Sequence, residues 1–193
     1  MTAISTDTKV FIAGSRKLSR LNPEVRERID KIVDKGFTVI IGDANGADKA
    51  VQHYLHLKHY ANVIVFCMEG VCRNNVGSWP TRAIRAANSD RRDFTYYSTK
   101  DRAMAAEADY GLMLWDGQSR GTLTNVVHLV RQGKAVVVYI ASSKSFQMLR
   151  HPDQLATLVA QSGLGDLHRI DRELEAVETI SNCRRKIDAA LLF

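Results

Sequence analysis

The sequence predicts an α/β fold of the Rossmann-like, three-layer αβα kind: a mainly parallel sheet of about five strands, with helices on both faces and further helices at the C-terminus. Three observations predict it. Short apolar runs recur at residues 9–13, 37–41, 62–66, 108–114 and 135–140, continuous rather than alternating, as strands buried on both faces are. Stretches of helical period separate them, the alternation that builds a parallel sheet with crossover helices. Three of the runs end in polar, glycine-containing turns: Gly14-Ser15-Arg16, Gly42-Asp43-Ala44-Asn45-Gly46-Ala47-Asp48 and Trp115-Asp116-Gly117-Gln118-Ser119-Arg120-Gly121-Thr122.

Taken in order, KVFIA at 9–13 is the first strand, and Gly14 lets the chain turn sharply beside a ligand. Ser15 and Arg16 then supply a hydroxyl and a fixed-fork cation suited to phosphate or carboxylate. Asn22-Pro23 reads as a helix cap followed by proline at the first helical position. The helix to about Asp34 puts Val25, Ile29, Ile32 and Val33 on one face, and Gly36 closes it. After the second strand, Asp43 is placed to bind a ribose hydroxyl, as acids at such turns do. Asp48 reads equally as a first-turn acid favoured by the helix dipole and as a ligand residue. The helix from Ala47 to about Lys58 turns Ala50, Val51, Tyr54 and Leu55 inward.

Beyond the third strand, residues 67–97 lose periodicity and show only a weak helical stretch around 81–87. A segment of that kind is often a lid or a binding loop. Trp79, Tyr96 and Tyr97 could stack on a base there or form a local core. Ser98 or Thr99 is expected to cap a helix through Glu107. The fourth strand then opens WDGQSRGT, whose helix buries Val126, Val127 and Leu129. From Ser142 onward the pattern predicts helices without strands. Residues 1–142 therefore read as the nucleotide-binding domain and 143–193 as a helical extension. Its apolar stripe, Leu174 to Leu192, packs on the domain or on a second copy, so a homo-oligomer, dimer or higher, is expected.

At 193 residues, 45% hydrophobic and 25% charged, the chain has material for a full core. No apolar run approaches the roughly 18–20 residues of a membrane span, and residues 1–9 lack the apolar segment of a signal peptide. Cys67, Cys72 and Cys183 make an odd count without metal-ligand spacing, which predicts reduced thiols, a cytoplasmic setting and no metal. Pairing of Cys67 with Cys72 is the less expected outcome. A net charge of +6 permits nucleic-acid binding without requiring it, because the basic residues are spread along the chain. The densest cluster is Arg82, Arg85, Arg91 and Arg92.

The order GSR, GDANGAD, WDGQSRGT resembles the YspA-related branch of the SLOG superfamily, Rossmann-like domains akin to DprA and to the LOG phosphoribohydrolases. The resemblance covers roughly residues 8–140, with GADKAVQHY matching the branch's GAD-containing helix start and WDGQSRGT its WDG-SRGT signature. It implies a nucleotide or nucleotide-derived ligand at the strand ends. Gly14, Ser15 and Arg16 would cradle phosphate or ribose. Gly42, Asp43, Gly46, Ala47 and Asp48 would line the adjoining edge. Trp115, Asp116 and Gly117 open the turn in which Ser119, Arg120, Gly121 and Thr122 would hold phosphate through side chains and helix amides. Two departures matter. Where the LOG enzymes carry a helix glutamate this chain has Asn125, an amide that cannot act as base or carboxylate nucleophile. Where the branch has an Arg-Asn pair, Lys100-Asp101 stands.

Three functions follow, in order of expectation. The first is binding or sensing of a nucleotide without robust catalysis and without a cofactor. The second is an N-glycoside hydrolase or transferase on nucleoside monophosphates, with Asp43, Asp101 and Asp116 as the carboxylates available to stabilise or attack the sugar C1. The third is single-stranded nucleic-acid binding through the basic cluster and its aromatic neighbours. A hydride-transferring dehydrogenase is disfavoured, because GSR-Lys is not a GxGxxG turn.

Overall fold

The computed structural model describes residues 7–85 and 94–162. Seven strands form one sheet in the order β4-β3-β2-β1-β5-β6-β7. They are β1 (Lys9–Gly14), β2 (Thr38–Ile41), β3 (Val63–Met68), β4 (Thr81–Ile84), β5 (Tyr110–Trp115), β6 (Val136–Ile140) and β7 (Ser145–Leu149). All neighbours pair in parallel except β6 with β7, which run antiparallel through a tight reversal. The helices are α1 (Pro23–Asp34), α2 (Ala47–Leu57), α3 (Phe94–Glu107), α4 (Arg120–Arg131) and α5 (Pro152–Ser162). None of the described helices is long and apolar enough to cross a membrane.

Strand side chains alternate between two cores, as the pleat requires. On β1, Val10 and Ile12 join Val25 and Ile29 of α1 and Val51 and Leu55 of α2. Phe11 and Ala13 face the other way, onto Met104 of α3, Val126 and Val127 of α4, and Leu158 of α5. Each large side chain removed from water in this way contributes about 1.5–3 kcal/mol, and β1 is buried from both sides. The chain builds outward from β1 through β2 to β3 and β4, then returns across the opposite face to lay β5 on the other edge of β1. The strand order therefore reverses between β1 and β5, where α/β sheets open a crevice for ligands.

Five expectations are corrected. The sheet has two strands more than the five expected. The stretch around 81–87 is strand β4 rather than helix over Thr81–Ile84, because its backbone pairs with β3 from Val65↔Thr81 to Met68↔Ile84. After Ser142 a strand precedes the helices: β7 returns along β6 and completes the sheet past residue 142. Helix α3 already runs from Phe94, so Ser98 and Thr99 lie inside it and Asp101 is mid-helix, not a first-turn acid. Finally, Cys67 and Cys72 form a disulfide, with Cα atoms 4.9 Å apart. The chain between them reverses through left-handed backbone at Glu69 (φ 53°) and Gly70 (φ 76°), which brings the two thiols together. The stripe expected at 174–192, and Cys183, lie outside the described residues.

Candidate functional site

The three glycine-containing turns converge at the carboxyl edge of the sheet. Gly14 accounts for how closely they meet: a Cβ there would lie 2.5 Å from the Leu114 carbonyl oxygen and 2.7 Å from the Ala47 Cβ. Beyond it, the Ser15 amide donates to the Leu114 carbonyl (2.9 Å) and the Ala47 amide donates to the Ser15 carbonyl (3.1 Å). The Ser15 hydroxyl donates to Asp116 Oδ2 at 2.8 Å and accepts from the Lys17 amide at 3.1 Å. Ser15 is thus a buried brace between β1 and β5. Arg16 is carried past it into solvent at the rim of the crevice, where its guanidinium lies 5.6 Å from the Tyr97 ring centre.

The β5–α4 turn is folded by its own acid. Asp116 Oδ1 accepts from the Gln118 and Ser119 amides at 3.0 and 2.7 Å, the side-chain-closed turn that aspartate favours. Burial pulls its carboxyl upward, but the Gln118, Ser15 and Ser119 donors together hold it below the ordinary value. Trp115 donates its indole N–H to the Ser119 carbonyl (3.1 Å). Ser119 caps α4 by accepting from the Thr122 amide (3.3 Å) and hydroxyl (3.0 Å). The Arg120 and Gly121 amides, in the first turn, have no carbonyl within the helix to receive them. Nothing lies within 4 Å of where a Gly121 side chain would begin, so the helix end faces open space.

The β2–α2 turn is closed in a different sense. Asp43, 2% exposed, takes a bidentate grip from Arg73: NH2 to Oδ1 at 2.7 Å and Nε to Oδ2 at 3.1 Å, with the Arg73 amide at 3.0 Å. The buried Lys100 of α3 donates to the same carboxylate. Burial opposes the charge on Asp43, but the Arg73 and Lys100 donors outweigh it and hold the carboxyl well below the usual range. Asp48 accepts from the Ala44 amide at 3.1 Å. Its burial is pushed against by Lys100 but wins, and the carboxyl rises to about 7. Gln52, fully buried, ties this turn to the next loop by donating to the Gly42 carbonyl and accepting from the Val76 amide. Gly46, at φ 82°, lies against the Arg16 backbone.

These turns and α3 enclose a cavity of about 620 Å³. It brings together Gly14, Ser15, Arg16, Asp48, Asp116, Ser119, Arg120, Gly121, Thr122, Asn125 and Asp101 from the expected set. Gly42, Asp43, Gly46, Ala47, Trp115 and Gly117 do not line it and act from behind. Among the acids lining it, Asp101 is half-buried and receives the side-chain amide of Asn125, while burial, the largest influence, pushes its carboxyl up. The Asn125 amide oxygen, on a residue only 4% exposed, has no hydrogen-bond partner among the described residues. Sequence reasoning missed Arg73, and Lys100 as a buried cation, whereas Tyr97, one of the aromatics considered for stacking, lines this cavity. Trp79 and Tyr96 are buried instead: the Trp79 indole donates to the Tyr60 carbonyl at 2.8 Å and closes a local core. Of the basic cluster, Arg82 pairs with Glu107 at 2.8 Å, and Arg91 and Arg92 lie outside the described residues. Among the described residues, no group of three or more His, Cys, Asp or Glu side chains is placed to hold a metal ion.

No family model and no curated protein matches the chain. A solved structure of DNA processing protein A from Helicobacter pylori, described for its single-stranded DNA binding mode, is similar in fold. It has 15% sequence identity and a TM-score of 0.54 over 91% of this chain and 80% of that one. At that identity the likeness is one of Rossmann-like architecture.

Proposed function

We propose that the cavity binds a nucleotide or a nucleotide-derived small molecule, with phosphate at the β5–α4 turn and the sugar toward Asp101 and Asn125. The observation that carries this reading is the division of one strand-end cavity into an anion-seeking rim and a donor-seeking floor. At the rim, the free amides of Arg120 and Gly121, the positive end of α4 and the exposed Arg16 and Arg120 side chains favour a phosphate. At the floor, the Asp101 carboxyl and the orphaned Asn125 oxygen accept hydrogen bonds and suit sugar hydroxyls. The volume lies within the range of small-molecule sites. A panel of mono-, di- and cyclic nucleotides and ADP-ribose tests this by thermal shift and calorimetry. A ligand at one hundred times its Kd stabilises the fold by about 2.7 kcal/mol. The absence of any shift and any heat of binding across the panel overturns the reading.

A second reading, cleavage or transfer at the N-glycosidic bond, is favoured by one observation: Asp101 lines the cavity and, among the described residues, forms no salt bridge, whereas Asp43 does. In that reaction the Asp101 carboxylate stabilises or attacks C1, the base leaves with the bond's electron pair and takes up a proton from water, and the water oxygen bonds to C1, displacing Asp101 where it has attacked. Release of free base from nucleoside monophosphates, lost in Asp101→Asn, supports it. No release, or release undiminished in that variant, removes it. Single-stranded nucleic-acid binding has less support, since the buried Trp79 and Tyr96 offer no open face for a base.

A further inference from the structure

The rim of the cavity carries more positive charge than one phosphate would use. Five cations, Arg16, Lys17, Arg73, Lys100 and Arg120, line the cavity against three acids, Asp48, Asp101 and Asp116, and among the described residues Arg16, Lys17 and Arg120 form no salt bridge. Arg73 and Lys100 share a single carboxylate, Asp43, so that trio keeps one positive charge in excess. Two of the cations are gathered at one point. The Arg16 and Arg73 guanidiniums lie 5.6 and 4.9 Å from the centre of the Tyr97 ring, a distance at which the ring's quadrupole holds each cation. Two like charges drawn to one aromatic side chain repel each other. Asp101 offsets part of that repulsion, and an anionic ligand within reach of both guanidiniums offsets more of it.

This point is separate from the α4 N-terminus but close to it. Arg16 follows β1 and the phosphate-binding turn follows β5, and these strands are hydrogen-bonded neighbours, about 4.8 Å apart. The Ser15–Asp116 bond fixes one turn against the other. Two anion-seeking points on the rim of one cavity suit a ligand that carries more than one phosphate.

We propose that the ligand is a pyrophosphate-bearing nucleotide, one phosphate resting on the first turn of α4 and the other between Arg16 and Arg73 beside Tyr97. This rests on the nucleotide reading above and narrows it. Arg73 is the fixed half of the second subsite, braced by its bidentate grip on Asp43. Arg16 is the adaptable half, whose guanidinium meets, among the described residues, the Tyr97 ring and the field of Asp101.

Calorimetry on the full chain with AMP and ADP, GMP and GDP, and UMP and UDP tests the proposal. For whichever base binds, the diphosphate is expected to bind about tenfold or more tightly than the monophosphate, as one added charge-assisted contact provides. In Arg16→Gln, at an exposed position, diphosphate affinity is expected to fall by more than monophosphate affinity, so that the ratio drops toward one. Equal affinity of mono- and diphosphates in the unaltered protein overturns the second subsite and leaves the nucleotide reading standing. A ratio unchanged by Arg16→Gln overturns it too. If neither form of any base binds, the nucleotide reading itself fails and this proposal with it.

Discussion

The β2–α2 turn and the β5–α4 turn look alike in sequence: each is rich in glycine and aspartate, and each joins a buried strand to a helix at the same edge of the sheet. Their physical roles are opposite. In the first, both Asp43 oxygens, the Gly42 carbonyl and an Asp48 oxygen are taken by Arg73, Lys100, Gln52 and the Ala44 amide. In the second, Asp116 closes the turn from within and leaves the helix amides facing open space. A polar turn is a receptor only to the extent that its donors and acceptors are not already spent on the protein.

The contrast can be broken most severely at Asp43. Asp43→Ala leaves the buried Lys100 without the carboxylate it is bonded to, and removing one partner of a buried ion pair costs about 3–5 kcal/mol. Urea denaturation should show a loss of that order; a loss below about 1 kcal/mol would mean the turn is not sealed as described. Asp48 gives the next effect. Its folded carboxyl titrates near 7 against an ordinary 3.8, so the folded state keeps a proton that the unfolded chain releases. The contribution of Asp48 to stability therefore falls as pH rises from about 4 to about 7 and is flat above. Asp48→Asn should remove much of that fall, a difference of a few kcal/mol at most. The Asp101 carboxyl, also pushed up, leaves a residual slope of the same sign. Unfolding curves at pH 5 and pH 8 for the two proteins measure it, and parallel pH dependence in both would count against the assignment.

Two glycines give the smaller effects. Gly14→Ala drives a methyl into the Leu114 carbonyl and Ala47, an overpacking that costs about 1–3 kcal/mol. Gly121→Ala meets nothing in the protein and lies at a helical position, so stability should hold or rise by under about 1 kcal/mol, while nucleotide affinity falls because the methyl occupies the phosphate's space. If Gly121→Ala binds nucleotide as well as the unaltered chain, the open turn is not the phosphate seat.

The legibility of the fold followed burial. The strands β1, β2, β3, β5 and β6 are central and carry continuous apolar runs, so their pattern is visible. The edges β4 (TRAI) and β7 (SFQML) have a neighbour on one side only and are mostly exposed or half-buried, so their polar residues mask the strand. The site divided along similar lines. Arg120, Gly121, Asp101 and Asn125 stand in turns and helices that local pattern reveals. Arg73 comes from an irregular loop and meets Asp43 across thirty positions of chain, a pairing that no local spacing announces. Lys100 was visible only as a departure from a motif, because its burial depends on where α3 docks. The Cys67–Cys72 bridge depends likewise on a chain reversal at Glu69 and Gly70 that composition does not mark.

Gly46 bears on how the site obtains its selectivity. It belongs to the sealed turn, yet it lies against the backbone of Arg16, and the next amide, of Ala47, holds the Ser15 carbonyl. The closed turn is therefore the mould in which the cationic loop is cast. Rigidity secured there lowers the ordering entropy that binding would otherwise have to overcome, so residues that never touch the ligand set how tightly it is held.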